Sequence, residues 1–266
     1  MCVLLLDGYN LLYRARSGFK GGDHPIVFNF FRGIRPIVEK FSPEKIYFVL
    51  EGVPRQRLES QESYKGNRTY HDRDEFQRQK REIIKILKED FPVEVVRHPD
   101  FECDDVIAYL ATEKHRDKKC VVVSSDTDFI QLYNQRENLT IFNPVRKKIV
   151  DKPDFDYVTW KALCGDKSDN IAGFPGVGEK TAEKLTRNKD QLSAFLSEGA
   201  EREEKFSHNI SMIKFHDIRN HTEQIESWKE KQNWENIRSS FQEMGFKLML
   251  KPSTWEKYVS TFNRSA

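Results

Sequence analysis

Hydrophobic residues in this chain gather into short continuous runs, and several of those runs end in an acid. Residues 2–7 read CVLLLD and residues 45–51 read KIYFVLE. Val121-Val122-Val123 passes through Ser124-Ser125 into Asp126-Thr127-Asp128. Apolar runs of this length, bounded by turn residues, predict buried strands. Leu139-Thr140-Ile141-Phe142 predicts another strand, with Arg146 to Val150 as the return arm of a hairpin. Between the first two runs, Ile26, Phe30, Ile34, Ile37 and Phe41 recur at helical spacing and predict an amphipathic helix over 26–40. Strand, helix and strand in that order imply a βαβ unit with a parallel pair. Helical patterns recur over 72–89, from 102–105 onward, over 155–164, after Lys180, and around Leu192, Phe195 and Leu196. Residues 207–218 are mixed, reading as a last strand or helix, and Trp228, Trp234, Phe241 and Trp255 read as packing residues. The fold class is α/β, with a central, mostly parallel sheet flanked by helices.

The acids at the strand ends change the picture. In open α/β sheets, ligands gather beyond the carboxyl ends of the strands. Asp7, Glu51 and Asp126 occupy three such ends, and Glu102, Asp104 and Asp105 crowd the start of a helix. Any one of them alone is a cap or a turn former. Converging on one site, they would repel one another unless a cation sat among them, and a divalent metal answers that need.

Two polar stretches add to this. Residues 54–70, PRQRLESQESYKGNRTY, carry Arg55, Arg57, Lys65 and Arg68 interleaved with Tyr64 and Tyr70. The plain reading is a surface loop; the functional reading is a segment that contacts phosphates and stacks on bases. The outer face of the following helix is dense in Arg78, Lys80, Arg81, Lys85 and Lys88, diluted by Asp74, Glu75 and Glu82. Residues 165–185 read GDKSDNIAGFPGVGEKTAEKL, holding Asp166 and Asp169 and then Gly176-Val177-Gly178 before Lys180 and a helix. Tight glycine turns before a helix N-terminus suit a phosphate. No strand precedes these glycines, which excludes a dinucleotide fingerprint, and the P-loop spacing is absent.

Composition adds little. The net charge of +2 can hide an acidic site and a basic surface together. Cys2, Cys103, Cys120 and Cys164 form no zinc spacing and read as free thiols of a reducing, cytoplasmic protein. The apolar run at 2–6 is too short for a signal peptide, and no stretch is long enough to cross a membrane.

Taken together, DGYN at Asp7, YKGNR at 64–68, ECDD at 102–105, SSDTDF at 124–129 and GDKSDNIAGFPGVGEKTA at 165–182 resemble the flap endonuclease and 5′→3′ exonuclease family. The likeness is greatest to its small stand-alone bacteriophage members and is faint beyond residue 190. It implies one nuclease unit over 1–266. Residues 1–160 would be a catalytic core with a helical arch at about 60–90. Residues 161–205 would be a helix–three-turn–helix DNA-binding element, and 206–266 would pack on the core. It implies Mg²⁺ or Mn²⁺, two or more ions, with Asp7, Glu102, Asp104 and Asp105 at one and Asp126, Asp128, Asp166 and Asp169 at or near the other. Lys65 and Arg68 would face the scissile phosphate, with Tyr64 beside them for stacking. Gly176, Val177, Gly178 and Lys180 would hold the duplex, around a K⁺ ion. Glu51 stands where the family usually has Asp and is expected as an outer ligand. The implied substrate is DNA with a 5′ flap, branch or nick, with an RNA–DNA hybrid as a further candidate, acted on by a monomer in replication or repair. The rival readings are a PIN-like metal-dependent RNase, which lacks YKGNR and the glycine hairpin, and a junction binder without catalysis, to which so many acids would be a hindrance.

Overall fold

The computed structural model describes residues 1–67 and 73–263, the side chain of Arg73 excepted. The chain order begins β1 (Val3–Asp7), α1 (Gly8–Ala15), α2 (Pro25–Phe41), β2 (Lys45–Leu50), α3 (Arg55–Ser60), α4 (Arg73–Glu89), β3 (Glu94–Arg97), α5 (Cys103–Tyr109) and β4 (Cys120–Val123). It continues with β5 (Leu139–Asn143), β6 (Lys148–Ile149), α6 (Tyr157–Cys164), β7 (Gly165–Asp166), β8 (Ile171–Ala172), α7 (Glu179–Arg187), α8 (Lys189–Ser197) and α9 (Ala200–Ile213). The last elements are β9 (Glu226–Trp228), α10 (Trp234–Glu243) and α11 (Pro252–Asn263).

Strand order is β6-β5-β4-β1-β2-β3-β9. The five inner strands are parallel, and only the two edges run antiparallel. Strands β1 to β3 are laid down in one direction and β4 to β5 in the other, so the order reverses between β1 and β4. That crevice is where an open α/β sheet binds its ligand. Alternation sets the two faces. Leu4, Leu6, Ile46, Phe48, Val121 and Val123 face the larger core, built with α2, α4, α10 and α11. Val3, Leu5, Tyr47, Val49 and Val122 face the smaller core under α5.

The predicted strands and the helix over 26–40 are present. Several elements were not predicted, among them β3, β9, α3, the β7–β8 hairpin, α10 and α11. Strand β3 was hidden because Glu94 interrupts its apolar pattern; Lys45 and Lys229 neutralise that buried carboxylate. Edge strand β9 is only three residues long. Residues 55–60, expected as part of a polar loop, form the short helix α3. The mixed stretch at 207–218 is the end of α9 and the coil after it. Phe241 and Trp255 are buried in the larger core, with Trp228 and Trp234 packed against it. No helix among the described residues is long and apolar enough to cross a membrane.

Phe48 is fully buried in β2, its ring edge-on to Phe30 at 5.5 Å between centroids. Phe48→Ala is expected to destabilise the fold by about 3–5 kcal/mol in urea unfolding. A loss below about 1 kcal/mol would mean that this face is not the main core.

Candidate active site

Asp7 closes β1 and caps α1, accepting from the Asn10 amide at 3.0 Å. Register places β4 beside it, and the Ser124 hydroxyl donates to Asp7 at 2.6 Å. Cys103 Sγ lies 3.4 Å from Asp7 and 3.3 Å from Asp104. Glu51 follows β2, and its carboxylate accepts from the Cys103 amide at 3.3 Å. Gly52 allows that approach, since a Cβ there would stand 2.0 Å from the His98 carbonyl oxygen. Ligand atoms of Asp7, Cys103 and Asp104 lie within 4.8 Å of one another. So do those of Asp128, Asp166 and Asp169. Asp126 is exposed beside the second group and accepts from the Asp128 amide at 2.9 Å.

Three cations thread these acids, Arg57 and Lys161 buried and Lys65 half-buried. Arg57 of α3 donates to both oxygens of Asp105, at 2.9 and 3.0 Å, and to Glu102 at 2.5 Å. Lys65 bonds to Glu102 and lies 4.0 Å from Asp169. Lys161 of α6 bonds to Asp128 and lies 2.5 Å from Asp166. Burial opposes the charge on Arg57, Lys65 and Lys161, yet the adjacent carboxylates hold all three above their ordinary pKa ranges. Burial also acts on the acids, which have too few partners. It raises Asp7, despite the Ser124 bond. It raises Asp104 strongly, reinforced by Asp7, Asp126 and Glu51. It brings Glu51 to about 7, with Glu102 adding to the shift, and Asp128 to about 6, with Asp126 adding. Asp166 goes the other way: burial would raise it, but Lys161 and Ser168 pull it down.

The segment carrying Lys65 is clamped from two sides. Its amide donates to the Asp169 carbonyl at 3.2 Å, and Gln61 and Asn170 cross-link the segment to the β7–β8 turn. Lys65 adopts a left-handed backbone, φ 55°, and Asn170 does too, φ 61°. A left-handed lysine costs about 1–2 kcal/mol, which the surrounding bonds must offset.

Several expected residues hold different positions from those the sequence suggested. Tyr64, expected to stack on bases, is buried, and its hydroxyl lies 3.1 Å from both Glu102 and Asp169. Its ring faces are therefore closed to a base. Asp105 has both oxygens engaged by Arg57, and one also accepts from the His216 amide at 2.8 Å. It anchors α3 and the segment after α9 rather than joining either group of ligand atoms. Arg57, read as a surface cation, is that anchor. Lys161 escaped notice; a single lysine in the apolar run YVTWKALC was the available signal. Arg68 and Tyr70 lie outside the described residues. Arg78 pairs with Glu75 and Glu82 instead of facing outward alone.

Helices α6 and α7 flank the glycine turn. Gly176 has φ +76°, and neither it nor Gly178 would meet an atom with an added Cβ. Val177 is buried against Leu163, Phe174 and Ala182, and its amide donates to the Phe174 carbonyl at 3.0 Å. Lys180 is exposed in the first turn of α7.

A model of the 5′–3′ exonuclease N-terminal, resolvase-like domain matches residues 2–159, and one of its C-terminal SAM fold matches residues 153–230. The chain belongs to the 5′–3′ exonuclease family, whose members include flap endonucleases. The family signal extends well beyond residue 190, where the sequence motifs had faded. The chain is 32% identical over 201 residues to the thermostable DNA polymerase I of Thermus thermophilus, covering 70% of this chain and 24% of the polymerase. It is 34% identical over 206 residues to DNA polymerase I of Mycobacterium tuberculosis, covering 68% of this chain and 22% of that one. The chain thus spans about a quarter of the length of these relatives. Among solved structures, a bacteriophage T5 5′-exonuclease with bound zinc superposes with a TM-score of 0.67 at 20% identity, covering 79% of this chain and 88% of that one. A T5 flap endonuclease in a product complex with DNA and metal ions gives 0.67 at 16% identity, covering 99% and 98%.

The raised acids set a direction for stability against pH. Glu51 goes from its ordinary 4.5 to about 7, and Asp128 from 3.8 to about 6. The folded protein therefore binds these protons more tightly than the unfolded chain, and stability falls as pH rises between those limits. Thermal unfolding in EDTA is expected to show that fall, and Glu51→Gln is expected to flatten it. An unchanged slope in Glu51→Gln would contradict the burial of this carboxyl.

Proposed function

We propose that this chain hydrolyses DNA phosphodiesters at 5′ ends and 5′ flaps with the help of divalent metal ions. The observation that carries the reading is the pair of acid groups at the sheet's switch point, flanked by the half-buried Lys65 and the buried Lys161. A structural cluster would be neutralised by its own cations; here Asp7, Asp104 and Glu51 remain short of partners, with their pKa values raised.

The donor set fits hard divalent ions such as Mg²⁺ or Mn²⁺, because all but one of the clustered ligand atoms are carboxylate oxygens. Asp7 and Asp104, with Glu51 and Glu102 around them, would hold one ion. Asp128, Asp166 and Asp169, with Asp126, would hold the other. Bound there, such ions would supply activation of a water and neutralisation of charge on the leaving oxygen. The chain's own residues do the positioning. Asp105 fixes Arg57, and Arg57 holds Glu102 at the metal side. Tyr64 bridges Glu102 and Asp169 and so ties the two groups together. Lys65, now paired with Glu102, is the cation best placed to meet a phosphate, and Glu102 would then be left to help hold the metal. Lys161 is placed to do the same for Asp128.

Exposed Gly176 and Gly178 and the α7 N-terminus with Lys180 would take the duplex backbone. A K⁺ ion in the 173–178 turn would meet Lys205, whose Nζ donates to the Gly173 carbonyl at 2.6 Å. Duplex affinity in K⁺ against Na⁺ decides whether that turn uses a monovalent ion. We extend the proposal to a monomer that acts on flapped, branched or nicked DNA in replication or repair, with an RNA–DNA hybrid as a second substrate.

The direct test is a 5′-labelled flap duplex, beside a matched RNA flap and a linear duplex, in Mg²⁺ and in EDTA. Metal-dependent release of a flap-length oligonucleotide or of mononucleotides is the expected result. Binding without cleavage in either condition would return the protein to a junction binder. Asp128→Ala is expected to lose cleavage by about 100-fold or more while duplex binding survives. Lys65→Ala is expected to slow single-turnover cleavage much more than it weakens binding. Equal effects on both would make Lys65 a tether.

A further inference from the structure

A second cleft, of about 310 Å³, lies on the far side of Glu51 from the acid groups. Tyr9, Lys80, Lys88 and Arg97 line it, and Leu12, Leu50 and Ile84 complete its walls. Lys80, Ile84 and Lys88 are four residues apart along α4, so one helix face presents both lysines to it. The volume is at the small end for a ligand site and suits one nucleotide, not a duplex.

The charges in this cleft are unbalanced. Arg97 donates to the Glu51 carbonyl at 3.1 Å and reaches Glu226 only at 3.9 Å. Lys80 lies over the Tyr9 ring, 5.8 Å from its centroid, and Lys88 lies over Trp228. Among the described residues, neither lysine makes an ion pair with an acid. Burial pushes both below their ordinary range, and the nearby charges of Glu51 on Lys80 and Glu226 on Lys88 offset it only in part. Three cations around one cleft with an aromatic wall fit a phosphate with a base beside it.

We infer that this cleft is a phosphate subsite for the single-stranded 5′ segment of the substrate, divided from the acid groups by Glu51. The inference rests on the nuclease reading for the identity of the strand. The phosphate is either a 5′-terminal monoester or an internal diester, and the same cations suit both.

The test measures binding of the full chain in Ca²⁺ to three short-flap duplexes. One carries a 5′-phosphate, one a 5′-hydroxyl, and one neutral methylphosphonate linkages in the flap. The wild type is expected to bind one of the neutralised flaps about 5–20-fold more weakly than the phosphorylated flap. Which flap loses affinity identifies the monoester or the diester. Lys80→Gln and Lys88→Gln are expected to lower affinity for the charged flap to that level and to abolish the difference between flaps, while Lys80→Arg and Lys88→Arg keep it. Variants that weaken all three duplexes equally, or none, overturn the subsite. Cleavage of the charged flap by the wild type in Mg²⁺ reports separately on the nuclease reading, so the two can fail independently.

Discussion

Negative charge concentrated at the carboxyl ends of parallel strands is the constraint on which the rest of the structure depends. The sheet delivers Asp7, Glu51 and Asp126 to one edge because β1, β2 and β4 run side by side in the same direction. The N-terminus of α5 adds Asp104 and Asp105, with Glu102 as its cap. Such a cluster is unfavourable in a dry interior unless each carboxylate has a partner. The fold answers with Arg57, Lys65 and Lys161, each brought from a different segment. Arg57 ties α3 and the segment after α9 to α5. Lys65 and Tyr64 tie the turn after α3 to the β7–β8 hairpin. Lys161 ties α6 to Asp128. The architecture around the site is thus fastened by the same charges that give the site its chemistry.

The compensation is incomplete where chemistry is expected. Asp105 has both oxygens matched by Arg57. Asp7, Asp104 and Glu51 are left with a thiol, hydroxyls and backbone amides, and they hold protons more tightly for it. A divalent ion is the partner that such a remainder favours. The strained backbone at Lys65 belongs to the same logic, since it is tolerated only where several bonds fix it.

Much of the sheet and of the acid set was legible in the sequence. Apolar runs ending in Asp or Glu mark buried strands that reach a polar site, and both properties appear in consecutive residues. The cations were not legible in the same way. Arg55, Arg57, Lys65 and Arg68 look alike along a basic stretch, and only the docking of α3 under α5 buries Arg57 and leaves Arg55 outside. Tyr64 reads as a stacking platform because an aromatic among basic residues often is one; its burial follows from a contact with Asp169, more than a hundred residues away. Strand β3 was missed because a buried glutamate, matched by lysines from two other segments, breaks the apolar pattern.

The most direct test of this account is to locate metal ions by anomalous scattering in crystals grown with Mn²⁺. Two peaks are predicted, one among Asp7, Asp104 and Glu102 and one among Asp128, Asp166 and Asp169, with Lys65 and Lys161 drawn back from their carboxylates. Crystals with no manganese at either group, and with both lysines still paired to their acids, would show that the cluster is neutralised from within and would contradict the claim.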